Sequence, residues 1–379
     1  MNHRFTLGLV VGTLLGVVAT LLIGGRNSSP LTPVPVSAPT PTNTAVRAFS
    51  SLPRAFGAQR HIANVGDAAS APKPVVESRL SRILKGENEA RPTREQVEPY
   101  LEANRRSAES LLGAFMVTGD LELLTEAAKN YPNDPRVQFQ AATSSRATPE
   151  ERTRALEALK HAAPDNAFGN YLSAYDHFKA GRRDDAVKEL LQATSKPKLS
   201  DYTLEFFQNR EEAYLAACWS AGEAKAEAMQ SLLIPYASQL KEVGVQVAQL
   251  AKDYRQAGDV ESAQNLIRLG LGLGQQMQTQ LGPQILIDEL VGIVIQRKVL
   301  EGLDPASSFD TSGRTVQDRL AELNQRRQSI REATADSEPL LRQLNERDAI
   351  IYFERSKLYG ELEAIRWLRN RQEIGRAHV

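Results

Sequence analysis

The chain has one cysteine, Cys218, in 379 residues, which excludes an intramolecular disulfide framework and a zinc site built from several thiolates. Cys218 lies in the apolar stretch AYLAACW and reads as a buried structural thiol. Histidine is also scarce. Of the five, His3, His61, His161 and His177 form no H-E-x-x-H and no pair at ligand spacing, so no metal site is expected. Excess charge of either sign is missing, because Lys plus Arg and Asp plus Glu both count 46. That balance argues against nucleic acid as a partner, since such binding needs a basic surface. No G-x-S-x-G elbow, Walker loop or strand-associated G-x-G-x-x-G occurs, so no cofactor and no catalytic residue is assigned, and the chain does not read as an enzyme. Alternating β-branched runs are lacking as well, which points to an all-α fold.

What is present begins with an uncharged apolar run, Phe5 to Gly25, long enough to cross the roughly 30 Å hydrocarbon core of a bilayer as a helix. The stretch TLLIGGRNSS after it offers no A-x-A cleavage site, so residues 1–26 read as an uncleaved transmembrane signal anchor. Arg4 precedes the span, and after Arg26 no charge appears until Arg47. The N-terminus is therefore expected in the cytoplasm and the bulk of the chain outside it, in the periplasm if the source is bacterial. Gly8, Gly12 and Gly16 recur every fourth residue and continue as Thr20 and Gly24. This face of small residues would let two anchors approach closely, which makes a homodimer through the transmembrane helix a possible arrangement beside a plain single anchor.

Residues 27–92 read as a linker. SSPLTPVPVSAPTPTN has five prolines in sixteen residues and no charge, which favours extended polyproline II over a packed core. The remainder of the linker is poor in periodic apolar residues apart from SRLSRILKG, and the folded part is expected to begin near Thr93.

From Thr93 the chain reads as helix after helix. TREQ (Thr93–Gln96) and SAGE (Ser220–Glu223) are capping boxes, in which a hydroxyl and a side chain three residues later satisfy free backbone N–H groups reciprocally. TPEE (Thr148–Glu151) adds proline at the first helical position, where its missing N–H costs nothing. The helices are short, paired and punctuated by Gly, Pro or Asp-Asn.

In VAQLAKDYRQAGDVESAQNLIRLG, Leu250, Ala251 and Tyr254 precede a turn at Gly258, and Ala263, Ile267 and Gly270 follow it. This unit resembles a tetratricopeptide repeat, with Val247 where that family prefers tryptophan and no closing proline. A second unit, NYLSAYDHFKAGRRDDAVKELLQA, keeps Ala174, Gly181, Ala186, Leu190 and Ala193, while Ser173 and His177 replace the large residues. Phe139 to Tyr171 and Ala142 to Ala174 both differ by 32, close to the family's period of about 34. LLGAFMVTGD supplies an opening half-match at Leu111, Phe115 and Gly119, and Leu199 to Val243 fits no repeat.

The resemblance implies a right-handed solenoid of antiparallel helical hairpins over residues 93–302, whose concave surface binds a protein or peptide. Asn170, Tyr171, His177 and Lys179 stand at positions that would face that concavity. LGLGLG (Leu269–Gly274) is expected to close a helix, and the adjacent pairs Glu211/Glu212 and Asp184/Asp185 read as solvated charge.

Residues 303–373 are expected to form C-terminal helices packing on the solenoid, along an apolar stripe of Val316, Leu320, Leu323 and Ile330. The arginines of LNQRRQSIRE read as a solvated face. The last six residues, IGRAHV, match one reading frame of a widely used sequencing-library adapter, ATC GGA AGA GCA CAC GTC TGA, and Glu373 suits the codon ending in AG that must precede it. Residues 374–379 are thus expected to be read-through, and His378 is given no functional weight. Together these readings describe a membrane-tethered interaction or scaffold protein. The alternatives are an α/α-type envelope enzyme acting on a polymer and a self-associating structural component of the envelope.

Overall fold

Local start and stop signals set most of the helices. The computed structural model describes residues 77–377, apart from 88, 232–234, 282–284, 309–312 and 336, and from Ser78 onward these belong to one compact unit. The described residues form seventeen α-helices and no strand, with isolated bridges at Asn166–Lys198 and Ser308–Thr315. In chain order the helices are α1 (Arg79–Leu84), α2 (Arg94–Ala103), α3 (Ala108–Thr118), α4 (Leu121–Asn130), α5 (Pro135–Thr143) and α6 (Pro149–Ala162). Then come α7 (Phe168–Lys179), α8 (Arg183–Thr194), α9 (Thr203–Ala216), α10 (Ala221–Gln230), α11 (Pro235–Gln256) and α12 (Val260–Thr279). The last five are α13 (Leu286–Leu300), α14 (Val316–Thr334), α15 (Ser337–Leu341), α16 (Glu346–Tyr359) and α17 (Glu361–Ala377).

The three capping signals read from the sequence all form, at Thr93, Thr148 and Ser220, and Pro149 occupies the first position of α6. Successive helices pack in pairs: α3 with α4, α5 with α6, α7 with α8, α9 with α10, α11 with α12, and α16 with α17. The turns at Gly181 and Gly258 have φ of 74° and 84°, a left-handed backbone that only glycine adopts without steric cost.

Two further packings draw distant segments together. Helix α9, from the stretch that fits no repeat, lies along α3, and α10 lies against both α1 and α16. The α3–α9 approach depends on Gly113, because a Cβ there would sit 2.5 Å from the Asn209 carbonyl oxygen. Helix α7 rests on α11, while α11, α12 and α13 pack mutually.

Several expectations change. The folded body starts before Thr93: α1 buries Leu80, Ile83 and Leu84 on one face and caps itself with Ser78, whose side chain accepts from the Ser81 N–H. Arg79 donates to Glu223 at 3.2 Å, tying α1 to α10. Cys218 is exposed, not buried, because the chain turns there at φ 64° and Trp219 folds back instead, its ring 4.6 Å from that of Tyr214. LGLGLG lies inside α12, which continues to Thr279. A Cβ on Gly274 would sit 2.7 Å from the Gly292 carbonyl oxygen of α13, so this glycine sets helix spacing.

Glu211 is buried and accepts from Lys225 at 2.6 Å, so it is a structural charge. Arg326 is part-exposed as expected but not free, since its Nη2 donates to the buried Glu289 at 3.0 Å and pins α14 to α13. Val316, Leu323 and Ile330 are buried on α14, and Leu320 is half-buried beside them.

No helix among the described residues is long and apolar enough to cross a membrane. The expected span, with Gly8, Gly12 and Gly16, lies outside the described residues, as does most of the expected linker.

Candidate functional site

The residues chosen for repeat packing fall on two hairpins. Ala174, Ala186 and Leu190 are buried between α7 and α8, with Gly181 at the turn; Leu250, Ala251 and Ala263 are buried on α11 and α12, with Tyr254 and Ile267 half-buried and Gly258 at the turn. These residues hold hairpins together, and of them Ala251 and Ile267 also line a cavity of about 290 Å³ between α11, α12 and α13.

Two of the four positions expected to face a concave surface are interior. Asn170 is buried and donates to Glu189 and Gln192 on α8, at 2.7 and 3.0 Å. Tyr171 is fully buried and donates through its hydroxyl to Gln276 on α12 at 2.6 Å. Helix α7 is covered by α8 on one side and by α11 on the other, which leaves only its C-terminal end, with half-buried His177 and exposed Lys179, near solvent.

A different region forms a cleft. The C-terminal end of α3, helix α5 with the loop after it, the start of α9 and Tyr236 of α11 enclose about 500 Å³. One wall is aromatic. The Phe139 ring lies 5.1 Å from Phe168, 5.6 Å from Tyr202 and 5.9 Å from Phe206, and Tyr236 stacks edge-on to Phe168 at 4.9 Å. Such pairs prefer edge-to-face geometry because ring edges are positive and faces negative, and they fix side-chain positions as well as burying area.

The buried side chain of Asn166 clamps the segment leading into α9. Asn166 donates through Nδ2 to the Ser200 carbonyl at 2.8 Å and accepts through Oδ1 from the N–H groups of Ser200 and Phe168, at 3.0 and 3.1 Å. This clamp holds Tyr202 at φ 59° and aims Thr203, Phe206 and Arg210 of α9 at the cleft.

Among the described residues, Asp201 is the one acidic side chain on the cleft lining. It is buried, and it accepts from the Thr203 N–H at 3.1 Å, from Thr203 Oγ1 at 2.5 Å and from the Tyr236 hydroxyl. Burial beside this carboxylate pushes the Tyr236 phenol well above its ordinary value, so the tyrosine stays a donor. With these donors in place, Asp201 acts as an anchor for the segment entering α9.

Three arginines line the same cleft: Arg91 ahead of α2, Arg146 after α5 and Arg210 on α9. None has a carboxylate within 4.0 Å among the described residues, whereas Arg94, Arg106 and Arg136 nearby pair with Asp120, Glu126 and Glu109 at 2.8, 2.6 and 2.7 Å. Arg210 is only 7% exposed. Its Nη1 donates to the Ala228 carbonyl at a long 3.4 Å, and its Nε has no partner. Burial pushes this guanidinium down to about 10, Tyr214 and Glu227 act in the opposite direction, and Arg91 reinforces the fall. Arg91 itself lies over the Gly119 turn, where a Cβ would overlap its Nη1.

Sequence reasoning missed this trio. Arg91, Arg146 and Arg210 are far apart in the chain and share no motif, and an arginine within EFFQNREEAYLA reads as one more solvated helix charge. Only the α3–α9 packing brings them to one cavity. Among the described residues, no group of three His, Cys, Asp or Glu is placed to hold a metal ion. No model of a known family, no curated protein and no solved structure matches this chain.

Proposed function

We propose that this protein is a membrane-tethered interaction protein whose helical body binds a protein or peptide partner, outside the cytoplasm, in the cleft between α3, α5 and α9. In this reading Phe5 to Gly25 anchors the chain, the proline-rich segment is a tether, and the hairpins α5 to α8 and α11 to α12 are degenerate relatives of the tetratricopeptide repeat. The observation that carries it is the cleft: an aromatic and aliphatic wall of Phe115, Met116, Phe139 and Phe206, rimmed by Gln140, Ser144 and Ser145. Clefts of this size that set placed polar groups beside apolar area are a usual form of binding site.

A photoreactive residue in place of Gln140, in the full-length protein in its own membrane, tests the reading. A control carries the same residue at Leu191, exposed on α8 and outside the cleft. One protein crosslinked from position 140 and not from 191 is the expected result. Equal labelling from both positions, or hydrolysis of an envelope polymer in place of a captured protein, overturns it.

The anchors would also pair through Gly8, Gly12 and Gly16, doubling the binding surfaces on one assembly. Gly12→Ile should abolish self-association in a membrane reporter, and unchanged association would reject that face.

A further inference from the structure

Burying a charged side chain without a counter-charge is unfavourable, because the interior cannot replace the water it loses, so buried charges are normally paired. Arg210 breaks that pattern. It is more than nine-tenths buried and lines the cleft, and among the described residues it has no carboxylate within 4.0 Å and no acceptor for its Nε.

The one acid that acts on Arg210 at longer range, Glu227, does not resolve this. It forms no ion pair with Arg210, and its own burial favours the neutral carboxyl. Asp201 shares the cleft with Arg210, and its donors are Tyr236 and Thr203. Arg91 and Arg146 add positive charge, so the lining carries three arginines against one carboxylate. Arg91 stands close enough to Arg210 to repel its charge. An arrangement of like charges around an enclosed space is relieved by an anion entering that space. The planar, bidentate fork of arginine matches the oxygens of a carboxylate or phosphate. Beside the arginines lie Phe115, Met116 and Phe206, which offer apolar area next to the charge.

We propose that the cleft is an anion site. It takes a carboxylate or phosphate group carried next to an apolar side chain or ring, with Arg210 as the buried anchor and Arg91 and Arg146 at the rim. This rests on the reading of the cleft as a binding site and names the chemistry of what binds there.

The test is calorimetric titration of the full-length protein in detergent micelles with four probes: acetyl-Phe-Glu, acetyl-Phe-Gln-amide, phenyl phosphate and inorganic phosphate. Acetyl-Phe-Glu or phenyl phosphate is expected to bind at least ten-fold more tightly than the uncharged amide. Arg210→Gln and Arg91→Gln should each weaken that binding ten-fold or more. Arg183→Gln, an exposed arginine of α8 outside the cleft, should leave it unchanged.

Should Arg210→Gln fail to fold, Arg91→Gln and Arg146→Gln still decide the matter, since both residues are exposed and neither has a carboxylate partner among the described residues. Tight binding of acetyl-Phe-Glu identifies a peptide carboxylate as the source. Binding of phenyl phosphate alone keeps the anion site and removes the peptide reading of the cleft. Binding of inorganic phosphate as tight as that of the aromatic anions, amide binding as tight as acid binding, indifference to the cleft arginines, or no binding at all overturns the proposal. The crosslink from position 140 remains an independent test of the peptide partner.

Discussion

Arg210 and Asp288 are both buried ionisable groups without a full set of partners, and the two differ in what surrounds them. Arg210 faces a cavity into which a ligand can fit, and Asp288 faces packed core. If Arg210 serves a ligand, the empty protein bears its desolvation as a stability loss. Arg210→Met should then raise the stability of the unliganded protein by about 1–3 kcal/mol, in line with replacements of buried charge by apolar side chains, while binding is lost. Urea denaturation measures the first effect and titration with phenyl phosphate the second; a lower midpoint for the variant would mark Arg210 as a structural residue.

Asp288 has its Oδ1 unpartnered, and burial, followed by the nearby acids Asp201 and Glu361, holds its carboxyl well above the usual range. The folded state therefore keeps a proton that the unfolded chain releases near pH 4, and the stability tied to that proton is full below this pH and falls as pH rises. Asp288→Asn should be more stable than the parent at pH 7, with the difference shrinking toward pH 4. A difference independent of pH would show that the carboxyl does not titrate as argued. Neither residue announces itself in the sequence, because an isolated Arg or Asp on a helix looks the same whether water or core lies beside it.

The helices were the most legible part of the chain. Capping at Thr93, Thr148 and Ser220 depends on residues three apart, and the turns at Gly181 and Gly258 depend on one residue each, so both are written locally. Helix-to-helix spacing is not local. Gly113 and Asn209 meet across α3 and α9 from opposite sides of the repeat-like region, and nothing in LLGAFMVTGD marks the first of its two glycines as a contact. Gly113→Ala should cost about 1–3 kcal/mol, because the added methyl meets backbone and the two helices must separate. Gly272→Ala, on α12 with open space around its Cα, is the control and should be neutral or slightly stabilising through helix propensity. Equal unfolding midpoints for the two variants would deny that α3 and α9 pack as closely as described.

At the level of the entire body, the all-α class and the paired helices follow from the sequence, while the long-range closure does not. Hairpin signals say which helices are consecutive. They do not say that α9 returns to α3 or that α16 lies on α10. That second contact is held by charges: Lys225 of α10 donates to Glu211 of α9 at 2.6 Å and also pairs with Glu354 of α16. With Glu211 and Lys225 each 10% exposed, removing the Glu211 charge leaves the buried Lys225 with only the more exposed Glu354 as its partner. Glu211→Gln should therefore destabilise by about 3 kcal/mol, and the C-terminal helices should lose protection from hydrogen exchange together with α9 and α10. Loss confined to α9 would show that α16 is held independently. The same closure explains why the cleft could not be read in advance, since its walls come from α3, α5, α9 and α11 and assemble only when α9 lies across the first hairpins.

Binding in this cleft is tested most directly by hydrogen exchange of the full-length protein in its membrane, with and without the partner captured by the crosslinker at position 140. Added protection is predicted in residues 113–119, 139–146 and 203–210, with none in 183–194. Protection confined to 183–194, or to the helices after residue 316 with the cleft unchanged, would place the binding surface elsewhere.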